Sequence, residues 1–189
     1  SLVFNPIDDS YEFISIPYQN PSFQAHHYQI DIDLKSQAEA EANLRYSGRG
    51  TVAANARRIL RNTEQAKKFY EKIGSRMFVA SSVMDASVQN NEDIWKPLEL
   101  NLKLDISNSV QTSGNAYRLK LPQTFPLNGV VSLNSRTTPL YMGVPDTLKT
   151  TVKVKLPRGF GFRETPQNLE LSHKCFSFSR SIEQKRRSI

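Results

Sequence analysis

Tyr28-Gln29-Ile30-Asp31-Ile32-Asp33-Leu34-Lys35 sets an apolar side chain at every even position and a polar one at every odd position. Successive side chains of an extended chain point to opposite faces, so this octet reads as a strand with one dry and one wet face. After Ser36-Gln37 the parity resumes, with Ala38, Ala40, Ala42, Leu44 and Tyr46 set against Glu39, Glu41, Asn43 and Arg45. Two alternating runs around a short polar break predict a hairpin. The alanines alone would also suit a short helix, but the alternating glutamates and the neighbouring strand favour sheet.

Further along, Leu98, Leu100, Leu102, Leu104 and Ile106 alternate with Glu99, Asn101, Lys103 and Asp105, the same strand signature. Met84, Ala86 and Val88 form a weaker strand before it, joined through the polar run Asn90-Asn91-Glu92-Asp93. Tyr117, Leu119 and Leu121 alternate up to Pro122, and Leu148, Thr150, Val152, Val154 and Leu156 up to Pro157. Leu169, Leu171, His173 and Cys175 share a parity that switches to Phe176 and Phe178, which predicts a bulge or turn near 174–176. Residues 122–147, with four prolines and recurring apolar side chains, read as a long ordered connection across the end of a sheet. Six or more strands with one wet face each predict a mainly β chain, an antiparallel β-sandwich of two sheets packed face to face.

One segment breaks the period of two. After Ser47-Gly48-Arg49-Gly50, apolar residues recur at Val52, Ala56, Ile59, Leu60, Ala66, Phe69, Tyr70 and Ile73. That spacing is one face of an amphipathic helix over about 51–73, inserted after the first hairpin, with Thr51 as its N-cap and Gly74 as its stop. Arg57, Arg58, Arg61, Lys67 and Lys68 fall on its wet side in this reading. Arg57, Arg58, Arg61 and Lys68, with Trp95 and Tyr141, are the candidate interaction surface. Trp95 precedes the clearest strand, where an indole also serves as a core plug.

The 189 residues suit one domain able to bury a core without disulfides, and a single cysteine excludes an internal one. Three histidines and one cysteine are too few for a structural zinc site. No apolar run approaches the ~18 residues of a membrane helix. The net charge of +7 is uneven: the first fifty residues carry three basic side chains against seven acidic, the last thirty-nine nine against three. Lys149, Lys153 and Lys155 read as the solvent-facing side of a strand. Without aromatic interleaving, the basic C-terminal third does not argue for nucleic acid.

Chemistry is sparse. Cys175 is the only thiol, and His173, two positions away on a strand, diverges from it instead of facing it. It reads as buried filler, not as a nucleophile. His26 and His27 point to opposite faces, a poor metal pair. Asp31/Asp33 and Glu39/Glu41 are solvated strand carboxylates, and Arg158-Gly159-Phe160-Gly161-Phe162 opens no helix and reads as a loop. No phosphate loop, dinucleotide fingerprint or Gly-x-Ser-x-Gly elbow occurs. No catalytic residue, metal ligand or cofactor is expected.

Ile16-Pro17 followed by Asn20, Ser47-Gly48 leading to Arg58, Arg136-x-x-Pro139-Leu140, and Leu156-Pro157-x-Gly159-Phe160 ahead of Pro166 form a familiar order. It resembles the C-terminal β-domain of bacterial transglutaminase-like proteins, over residues 1 to about 182. In that family a β-sandwich of unknown function precedes a Cys–His–Asp catalytic domain, and a second β-domain follows. The resemblance implies a non-catalytic accessory domain that packs against the catalytic domain or binds a protein partner. Cys175 inherits no nucleophile role. Export to the periplasm or surface of a Gram-negative cell is also implied. Residues 1–24 would be the exit from an upstream domain, 25–182 the β-sandwich with its helix, and 183–189 a basic tail. Ser1 in place of an initiator Met fits a piece of a longer protein. The alternative reading is a carbohydrate- or cell-surface-binding sandwich.

Overall fold

The computed structural model describes residues 2–5, 10–13, 20–35, 39–114, 116–122, 146–174 and 176–184. Leu34 and Ala40, facing each other across the predicted break, end β3 (Ala25–Leu34) and begin β4 (Ala40–Gly48), which pair antiparallel as expected. Two short strands come first, β1 (Leu2–Asn5) and β2 (Ser10–Phe13), paired antiparallel. A 3-10 turn, Pro21–Gln24, leads into β3.

Beside β4 lies β6 (Leu98–Asp105), and beside β6 lies β5 (Ser82–Gln89), both pairings antiparallel. On the other flank β9 (Thr147–Lys155) runs parallel to β3, so the five-stranded sheet is mixed, not wholly antiparallel, in the order β5-β6-β4-β3-β9. The mainly β architecture of several sheets, with helix inserted after the first hairpin, is the one the alternation predicts. Two further hairpins complete it: β7 (Val110–Ser113) with β8 (Ala116–Leu119), and β10 (Leu169–Ser172) with β11 (Ser177–Arg180). The latter closes on a 2.8 Å bond from His173 N–H to the Phe176 carbonyl, so the parity switch is a turn.

Even-numbered side chains of β3, β4 and β6 share one face and form the core. Ile30, Ala42, Leu104 and the following Ile106 are wholly buried, with Leu44, Leu100 and Leu102 nearly so. In β5 the register shifts between Val83 and Asp85. This bulge turns Val83 inward beside Ala86 and Val88 and leaves Met84 exposed, correcting the simple alternation at Met84.

The helical segment is two helices, α1 (Gly50–Leu60) and α2 (Thr63–Met77), not one. No apolar residue stands between Leu60 and Ala66, so nothing anchors the polar stretch Arg61-Asn62-Thr63-Glu64-Gln65 to the sheet and the helix can break there. Asn62 takes an extended conformation at the break, and its side-chain oxygen accepts from the N–H groups of Glu64 and Gln65, each at 3.0 Å. Thr51 is not the N-cap. Helix α1 starts at Gly50 (φ +78°), and Gln24 Oε1 accepts from Thr51 Oγ1 at 3.0 Å. Gly74 does not end α2 but lies inside it, where a Cβ would come within 3.3 Å of Leu104 Cδ2 and Ser81 Oγ. Its small size permits the close approach of helix to sheet.

The helices connect β4 to β5, which are parallel with β6 between them, so they must cross one face of the sheet. They cover the apolar face: Ala53 and Ala56 of α1 pack over Leu98, and Phe69, Tyr70, Ile73 and Met77 of α2 pack on the main core. Val110 and Leu119 of the β7–β8 hairpin join the same core. At its corner Tyr46 lies across Gly48, its ring 5.0 Å from that of Tyr28, and its hydroxyl shares a 2.9 Å hydrogen bond with His26 Nδ1.

Candidate interaction site

The β5–β6 connection, residues 90–97, is built by a buried arginine. Arg57 follows Ala56 on the inner face of α1 and is 9% exposed, so its place is inside, not on the wet side of the helix. The guanidinium reaches three backbone carbonyls of that loop. Nε and Nη2 donate to Asn90 O at 3.3 and 3.2 Å, and Nη2 donates to Asp93 O at 3.1 Å and Lys96 O at 2.7 Å. A buried cation is tolerable only when its donors are satisfied, and here the loop backbone satisfies them.

Local bonds finish the turn. Asn90 Nδ2 donates to the Pro97 carbonyl at 3.0 Å, and Trp95 N–H donates to Asp93 Oδ1 at 3.1 Å. The Asp93 carboxylate also pairs with Lys96 Nζ at 3.2 Å. Its pKa lies below the usual carboxylate value, chiefly because Lys96 donates to it and then because of the Trp95 N–H. An aspartate that captures the N–H two residues on makes a turn of its own. The result sends Ile94 and Trp95 outward, 68% and 85% exposed. The core-plug reading of Trp95 is thereby corrected: the plug at this end of the sheet is Leu98.

Of the other predicted surface residues, Arg58 and Arg61 are exposed on and just after α1, and Lys68 is exposed on α2. Tyr141 and Cys175 lie outside the described residues, as does the predicted ordered connection apart from its ends. Thus Arg57 belongs with Trp95 as its anchor, not as a neighbouring contact. The stripe Ala53, Ala56, Arg57, Leu60 is the signal that identifies it, since it places Arg57 on the apolar face of α1.

His26 and His27 sit on opposite faces of β3. Burial holds the His26 imidazole pKa below its ordinary value, only partly offset by Asp146. His27 Nε2 lies 3.4 Å from Thr151 Oγ1 on the other face. Asp33 pairs with Lys155 at 3.0 Å, and Glu41 with Lys35 and Lys103 at 2.8 and 3.4 Å. Those two lysines hold the Glu41 pKa low, Lys35 most strongly. Among the described residues no three metal-binding side chains converge, and no helix is long and apolar enough to cross a membrane.

The family DUF3858, described as a domain of unknown function with solved-structure structure, matches residues 116–189. That segment takes in β8 to β11, whereas β3 to β6 and both helices precede it. No curated protein and no solved structure matches the chain.

Proposed function

We propose that this chain is a non-catalytic accessory β-domain whose rigid Ile94–Trp95 tip docks a protein partner. In keeping with the sequence resemblance, that partner is a transglutaminase-like catalytic domain of the same polypeptide, in an exported bacterial protein. The observation that carries the reading is the Arg57 anchor. It freezes the backbone beneath two large apolar side chains that the described fold does not use. Interfaces concentrate their binding energy in aromatic anchors, and a loop ordered beforehand loses little entropy on docking.

The test is binding between this chain and a transglutaminase-like domain of the same polypeptide, expressed separately and measured by calorimetry. Trp95→Ala is expected to weaken it by at least tenfold, in line with the ~2 kcal/mol or more of an interface hot spot. Unchanged affinity removes the docking role. Amidase or cross-linking turnover by the isolated chain that Cys175→Ser abolishes removes the accessory role. An exposed indole is also a sugar-stacking surface, so quenching of Trp95 fluorescence by a neutral glycan would favour the carbohydrate-binding alternative.

A further inference from the structure

The odd-numbered side chains of the five-stranded sheet, joined past the β5 bulge by Ser82, form a second surface, and its two ends differ. In register across β9, β3, β4, β6 and β5, four rows can be followed: Lys149–His27–Ser47–Glu99–Gln89, Thr151–Gln29–Arg45–Asn101–Ser87, Lys153–Asp31–Asn43–Lys103–Asp85, and Lys155–Asp33–Glu41–Asp105–Ser82. Directly opposed side chains in such rows have their Cβ atoms about 5 Å apart.

In the last two rows the carboxylates of β3, β4 and β6 are held from within. Gln29 Nε2 donates to Asp31, Lys155 pairs with Asp33, Lys35 and Lys103 pair with Glu41, and the Ser107 hydroxyl donates to Asp105 at 2.6 Å. The first two rows differ. Arg45, Ser47, Glu99 and Asn101 make no side-chain hydrogen bond or ion pair with any described residue. With His27 and Gln29 they line a shallow depression of about 180 Å³. This is the end of the sheet from which the 90–97 loop projects, because Gln89–Glu99 is the last paired position before it.

We propose that this depression binds an acidic saccharide, taking the carboxylate of one uronic-acid ring on Arg45. A guanidinium presents two parallel N–H donors that fit a carboxylate. Flanking it in register are the free Gln29 carbonyl oxygen and the Asn101 amide, which together accept from and donate to ring hydroxyls. The Ser47 hydroxyl and the Glu99 carboxylate lie one row on, where Glu99 accepts from a further hydroxyl. Glu99 also decides the class of anion. A phosphate dianion would meet one cation with a carboxylate nearby, whereas a monocarboxylate bearing hydroxyls uses both groups. Pockets that enclose whole drug-sized ligands run to about 300–1,000 Å³, so this one suits a single ring of a longer chain. The inference is independent of the docking role of Trp95.

The test is an amide-resolved NMR titration of the ¹⁵N-labelled full chain with trigalacturonate, against galactotriose as the neutral counterpart and inorganic phosphate as the simple anion. Trigalacturonate is expected to shift the amides around Gln29, Arg45 and Asn101, with galactotriose and phosphate at least tenfold weaker. Arg45→Gln should lower trigalacturonate affinity at least tenfold while leaving the melting temperature unchanged. Asn101→Ala should lower it by a smaller factor. No shifts at millimolar trigalacturonate, equal shifts with galactotriose or phosphate, or an unaffected Arg45→Gln variant would each overturn the assignment.

Discussion

The two faces of one sheet carry nearly equal numbers of side chains per strand and do opposite work. The even face is sealed by helices and the β7–β8 hairpin, and along β3, β4 and β6 its residues are nearly all below a tenth exposed. The odd face is partly exposed; surface ion pairs tie its strands together at one end, whereas at the other the one side-chain contact between described strands is that of His27 with Thr151. Apolar burial is non-directional and scales with area, whereas exposed ion pairs contribute about 0–1 kcal/mol each. Stability therefore resides on one face, and the other is left free to recognise something.

The comparison breaks most visibly at Leu104. Leu104→Ala opens a cavity beneath α2 and is expected to destabilise the fold by about 2–5 kcal/mol in urea unfolding. Its neighbour Lys103→Ala, on the opposite face, should change stability by less than about 1 kcal/mol. Equal losses from the two would mean that the faces are not divided in this way.

Arg57→Ala comes next. It leaves three loop carbonyls without their donor, and removing a charged hydrogen-bonding partner from a buried site costs about 1–3 kcal/mol. A matching fall in Trp95 fluorescence anisotropy is expected, since the indole then rides on a loosened backbone. Trp95→Ala, by contrast, should stay within about 0.5 kcal/mol of the parent chain, as exposed substitutions do.

Gly48→Ala probes the corner of the dry face. A Cβ there collides with the Tyr46 ring, which is itself held by Tyr28 and His26. Displacing that ring should cost about 1–3 kcal/mol, as overpacking of a close-fitted site does.

The smallest effect is a pH dependence. Because burial depresses the His26 pKa in the folded chain, the unfolded chain takes up its proton first as pH falls through the ordinary imidazole value of 6.5. The contribution of His26 is thus fully present above about 6.5 and is lost as pH drops toward its lower folded value. Unfolding midpoints measured between pH 7.5 and 5 should decline, and His26→Gln should flatten that decline. A slope unchanged in the variant would assign it to other groups.

The strands of the core were legible because a buried face imposes period two on the residues that line it, as in β3, β4, β6 and β9. Their partners were less so. Nothing in Leu148–Leu156 says whether that strand runs parallel or antiparallel to β3, because direction depends on how the chain returns to the sheet. The helix break was written in the sequence as Asn62-Thr63-Glu64-Gln65, a capping residue ahead of a new turn, but the apolar list on either side masked it. The anchor at Arg57 was the harder case. An arginine in a basic helix reads as solvated, and its acceptors are backbone carbonyls, which no residue type announces. Trp95 was likewise decided by one hydrogen bond from its own N–H to Asp93.

The parallel pairing of β3 with β9 has a bearing on how this polypeptide can be divided. The segment matched by the family starts at residue 116, yet the longest of its described strands finds its hydrogen-bonding neighbour in residues 25–34. A gene fragment opened at the family boundary would release β9 with both edges bare and Val154 without its apolar seat. The segment that the family matches and the sheet that β9 completes overlap without coinciding, and trimming to residues 116–189 should yield an aggregating product.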